Sequence, residues 1–94
     1  METAMWKFPN GDKDDNTWII QTQETKVIRK LRRRTTATVV GKSVNSNLVY
    51  FHLPYSNRFK AMEGLRRLTS REVYYNADEG AILTKSTPIL TSKK

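Results

Sequence analysis

The sequence predicts a small α+β domain, a two-layer sandwich in the order β-α-β-β-α-β-β. Two helices are expected on one face of an antiparallel or mixed sheet, with a ferredoxin-like split βαβ or a relative of it as the leading arrangement. Three observations point there. Short β-branched and aromatic runs recur between turn residues; two segments space their apolar residues at helical period; and a pair of strands follows each helical segment.

Met5-Trp6-Lys7-Phe8 alternates apolar and polar residues, so an extra amino-terminal strand is an option. Pro9-Asn10-Gly11-Asp12 is turn chemistry, and residues 12–16 read as a polar loop. Residues 1–16 are therefore set apart as a turn-rich segment before a single domain over 17–90 and a basic tail over 91–94. Trp18-Ile19-Ile20 is a short buried strand. Thr22 is a candidate cap for a helix over about residues 23–34, with Glu24 in its first turn and cations crowding its end.

Residues 35–40 and 48–53 read as two strands joined through the turn residues of 41–47. Ser56 or Asn57 is a good cap for a second helix, whose apolar face is Ala61, Met62, Leu65 and Leu68. Phe59 lies at the edge of that face, and Gly64 in mid-helix costs about 1 kcal/mol relative to Ala. Residues 71–75 and 81–84 form the last hairpin across a turn at 76–80, and Pro88 stops the final extended segment. The sequence reads without a low-complexity tract and without an internal repeat of useful length.

Composition narrows the function. The chain of 94 residues has no cysteine, which removes disulfides, thiol catalysis and thiolate metal sites. No apolar run approaches the length of a membrane span and no signal-like segment opens the chain, so a cytoplasmic protein without a membrane partner is expected. The net charge of +8 is unevenly spread: −3 over residues 1–24, +6 over 25–34 and +5 over 35–94.

The run Lys26-Val27-Ile28-Arg29-Lys30-Leu31-Arg32-Arg33-Arg34 holds six cations, and no acid follows Glu24 until Glu63. Val27, Ile28 and Leu31 share one helix face, while Lys26, Arg29, Lys30 and Arg33 share the other. Solvated helices usually mix signs, because unlike i,i+4 pairs stabilise and like pairs repel. A face of one sign is best tolerated when an external anion neutralises it.

Catalysis has little support. His52 is the only histidine, which removes a histidine acid/base pair and a multi-histidine metal site. Asp12-Lys13-Asp14-Asp15-Asn16 begins like a calcium loop, but Thr17 replaces the required glycine and Gln23 stands where the bidentate glutamate belongs. Glu24-Thr25-Lys26 matches the acid-x-lysine of some metal-dependent nucleases over only three residues. No cofactor, metal or catalytic residue is assigned.

Leu48-Val49-Tyr50-Phe51-His52-Leu53-Pro54-Tyr55-Ser56 resembles the opening strand of an RNA-recognition motif, and the resemblance implies base stacking by Tyr50. The residues after Pro54 are too few for the rest of that domain and lack its second aromatic signature, so membership is not assigned.

The leading expectation is a non-enzymatic nucleic-acid-binding protein, a regulator or accessory factor that contacts phosphates of DNA or RNA. Its candidate residues are Lys26, Arg29, Lys30, Arg32, Arg33, Arg34, Tyr50, Arg66, Arg67 and Arg71. A small toxin-type ribonuclease is the alternative, with Arg66, Arg67, Arg71, Tyr74, Tyr75 and His52 as its residues. A module docking on an acidic protein is the third reading, and free strand edges would also suit a homodimer.

Overall fold

The computed structural model describes residues 3–7 and 16–85. The expected turn at Pro9-Asn10-Gly11-Asp12, most of the calcium-loop-like run, the stop at Pro88 and the tail 91–94 lie outside the described residues. The elements are β1 (Ala4–Lys7), β2 (Thr17–Thr22), α1 (Thr25–Arg32), β3 (Thr38–Lys42), β4 (Val49–Pro54), α2 (Arg58–Thr69), β5 (Val73–Asn76) and β6 (Ala81–Thr84).

The six strands form one sheet in the order β3-β4-β2-β1-β6-β5, and every neighbouring pair is antiparallel. Val39, Phe51, Ile20, Met5, Ile82 and Tyr75 make one row across it. The four inner members are almost fully buried and join Trp18, Val49 and Leu53 in the core. Val27 and Leu31 of α1 and Ala61, Leu65 and Leu68 of α2 enter the same cluster, so both helices cover one face of the sheet. The molecule is thus a two-layer α+β structure.

The finer ferredoxin-like arrangement stops halfway. β2 and β3 run parallel on either side of β4, with α1 between them in sequence, which is a split βαβ unit. A complete fold of that kind would seat the strand after α2 beside β2. β1 takes that place, and the β5–β6 hairpin is added beyond it. The amino-terminal strand is therefore an inner strand of the sheet, and the boundary expected at residue 17 cuts through a strand pair.

The sheet order sets two similarly connected halves side by side. Each helix leads into an edge strand, whose hairpin partner pairs inward: α1-β3-β4 on β2, and α2-β5-β6 on β1. The order and directions of the strands are unchanged by a two-fold rotation perpendicular to the sheet between β1 and β2, which exchanges β3 with β5 and β4 with β6. The sequences agree at a spacing of 34 residues: Lys26 with Lys60, Leu31 with Leu65, Arg32 with Arg66, Arg33 with Arg67, Thr35 with Thr69 and Val39 with Val73. Within the helices several of these positions also share their burial. Val27 and Ala61 are buried, Ile28 and Met62 half-buried, Leu31 and Leu65 buried, and the Lys and Arg pairs exposed.

Helix ends also differ from expectation in one case. Asn57 caps α2 as expected, its Oδ1 accepting the Lys60 N–H at 2.9 Å. The N-cap of α1 is Glu24, whose side chain makes no capping bond. Thr22 is buried in β2, where its hydroxyl accepts the Glu24 N–H at 3.1 Å. The Glu24 carboxylate turns away to receive both terminal nitrogens of Arg71, at 2.8 and 2.7 Å, and the Thr3 hydroxyl.

Candidate nucleic-acid interface

The apolar stripe of each helix faces the sheet, which leaves its cations no position but the outer surface. On α1 and its carboxyl end Lys26, Arg29, Lys30, Arg32 and Arg33 are exposed; on α2 Arg58, Lys60, Arg66 and Arg67 are exposed. Glu63 is the sole acid on either helix, bridging to Arg67 at 3.3 Å and Arg66 at 3.8 Å. Both of those pairs are about half exposed and stabilise weakly.

The seam between the helices gathers charge from both. Arg34, Lys60 and Arg67 line a depression of about 250 Å³ together with Tyr55, Glu63 and Gly64. Arg34 Nη1 lies 3.5 Å from the Tyr55 hydroxyl, to which it donates. Gly64 has a positive reason for being glycine here. A Cβ at that position would lie 2.2 Å from the Tyr55 Oη and 2.6 Å from its Cζ, so the missing side chain is the seat of the Tyr55 ring.

The sequence-predicted residues divide into three groups. Lys26, Arg29, Arg32, Arg33, Arg34, Arg66 and Arg67 belong to the helical layer and its seam. Lys30 belongs there too, but its Nζ donates to the Arg67 and Leu68 carbonyls at 3.3 Å each. It closes the carboxyl end of α2, where a cation also meets the negative end of the helix dipole.

Arg71 is engaged bidentately by Glu24, with their side chains 25% and 16% exposed, which ties its guanidinium to the start of α1. Burial alone pushes the Glu24 carboxyl up; hydrogen bonds from Arg71 and Thr3, with the Arg71 charge, outweigh it and hold the group below its ordinary range.

Tyr50 stands alone on the opposite face. Two complete rows cross that face: Thr38, His52, Ile19, Trp6, Ala81, Asn76, and Gly41, Tyr50, Gln21, Ala4, Leu83, Tyr74. Neither row contains a charged residue. Cations and Tyr50 therefore cannot meet one phosphate backbone at a single contact surface. The ribonuclease candidates are dispersed as well. His52 on β4 and Tyr74 on β5 are four strand spacings apart, roughly 19 Å, with Arg66 and Arg67 on the other side of the molecule. Tyr75 lies on the helical side, where the Arg58 guanidinium stacks 4.2 Å from its ring centroid.

Two exposed cations of the helical layer were not among the predicted site residues, Lys60 and Arg58. The signal for Lys60 was present in its 34-residue spacing from Lys26, ahead of the same Leu-Arg-Arg. Arg58 carries no comparable signal, because its stacking on Tyr75 depends on the tertiary contact of α2 with β5. Among the described residues no group of three His, Asp or Glu side chains is placed to hold a metal ion, and no helix is long and apolar enough to cross a membrane. Compared with known proteins, the chain matches no family model, no curated protein and no solved structure.

Proposed function

We propose that this protein binds nucleic acid, without cleaving it, through the outer surface of its helical layer. The observation that carries the reading is that both helices turn their cations to one side, with Glu63 as the only acid among them. Such a surface attracts the phosphate backbone by releasing counterions, and arginine adds bidentate hydrogen bonds to phosphate oxygens. Affinity then comes from positioning contacts to the backbone, which carry no base sequence information by themselves.

The test is a salt titration of binding to a mixed-sequence oligonucleotide, comparing wild type with the triple variant Lys26→Glu, Arg29→Glu, Arg33→Glu. Lys30 is spared because it closes α2. Three lost phosphate contacts should weaken binding and flatten the slope of log affinity against log salt by about 3. Equal affinity and slope, with both proteins folded by circular dichroism, would remove the helical layer from the interface.

A further inference from the structure

We infer that the ligand of the helical layer is double-stranded DNA, engaged symmetrically with one helix on each strand; this rests on the nucleic-acid reading above. The two-fold order of the sheet sets the α1 half against the α2 half, and a spacing of 34 residues matches three exposed cation pairs between them, Lys26/Lys60, Arg32/Arg66 and Arg33/Arg67. β3 and β5, which the helices lead into, run antiparallel, so that two-fold reverses the direction of one half relative to the other. A duplex has the same symmetry, because its antiparallel strands are related by two-fold axes perpendicular to the helix, and paired protein halves use that match. A single strand has no such axis.

The surface chemistry selects DNA over RNA. Duplex RNA is read largely through 2′-hydroxyls across a wide minor groove, which calls for neutral hydrogen-bonding side chains. Among the exposed residues of the two helices Thr25 is the only one of that kind; apart from Phe59 and Glu63 the rest are Lys and Arg.

The repeat is imperfect in one informative place. The partner of Arg29 is Glu63, which holds Arg66 and Arg67 and makes the α2 half the weaker one. Glu63 thus grades the two halves without breaking their correspondence.

The experiment measures fluorescence anisotropy across a salt series with three probes of equal length: a mixed-sequence DNA duplex, one of its single strands and the RNA duplex of the same sequence. Six phosphate contacts give a salt slope of about −5 for duplex DNA, whereas a single strand that reaches three cations gives about −2. Arg66→Glu with Arg67→Glu should flatten the duplex slope by about 2, as should Arg32→Glu with Arg33→Glu, and Glu63→Gln should tighten binding.

A single strand bound as tightly as the duplex, or RNA duplex bound more tightly than DNA, overturns the assignment while leaving nucleic-acid binding intact. So does a loss confined to the α1 pair. Failure of all three probes to bind at low salt overturns the underlying reading itself.

Discussion

Gly64→Ala is expected to destabilise this protein, although helix propensity alone predicts the reverse. In an exposed helix interior, Ala is favoured over Gly by about 1 kcal/mol. Here the added methyl would sit 2.2, 2.6 and 2.9 Å from Tyr55 Oη, Cζ and Cε1, against ordinary carbon contacts of about 3.5–4.0 Å. The ring has to retreat by about an ångström or leave its seat, losing its packing on the core and its contact with Arg34.

Overpacking of this kind costs about 1–3 kcal/mol, so the net effect lies between neutrality and a loss of about 2 kcal/mol. Urea denaturation followed by circular dichroism reads it as a shift in midpoint at unchanged slope. The decisive arm is the double-mutant cycle with Tyr55→Ala. Once the ring is gone, Gly64→Ala should stabilise by about 1 kcal/mol, which leaves a coupling energy of about 1–3 kcal/mol between the two sites. Equal stabilisation in both backgrounds would show that Tyr55 does not occupy the space above Gly64.

Leu31→Ala and Leu65→Ala fill equivalent positions in the two halves, each with no exposed surface, and each should cost about 2–5 kcal/mol in the same denaturation assay; a loss under about 0.5 kcal/mol at either would misplace that helix face. Glu24 links stability to pH. Its carboxyl is held below its ordinary value in the folded protein, so its contribution is fully present above the unfolded pKa of about 4.3 and is lost as pH falls through the lower folded value. Glu24→Gln should be less stable than wild type at pH 7, with the gap narrowing on acidification; a gap that stays constant to pH 2 would refute the ion-pair account.

Local features of the fold were legible where local chemistry decides them. Asn57 caps α2, and the 3–4 spacing of Val27, Leu31, Ala61, Leu65 and Leu68 marks the buried stripes. The cations of α1 reach the surface for the same reason, since burying them unpaired is prohibitive. Pairings between distant strands were not legible. β1 with β6 joins residues more than seventy positions apart, and no pattern within a short strand selects its neighbour.

The candidate site was blurred by the same limit. Glu24 and Arg71 meet across 47 residues, and Lys30 finds its carbonyls across 37 and 38. Neither partner announces itself locally, so both cations counted as free. Gly64 was weighed by propensity, which scores a helix alone, whereas its neighbour Tyr55 comes from the loop before it.

The polar cluster at Thr3, Thr22, Glu24 and Arg71 has a bearing on how the molecule comes apart. Thr3 precedes β1 and Thr22 closes β2, while Glu24 is the N-cap of α1 and Arg71 follows α2. One clasp therefore holds the central hairpin to an end of each helix. In a chain built from two similar units, independent melting of the halves is the natural hazard. Here neither helix can peel from the sheet without opening bonds that the other unit shares, so the whole is expected to behave as a single exchange unit. Protection of the α1 and α2 amides should rise and fall together, set by global opening instead of by each helix's own propensity.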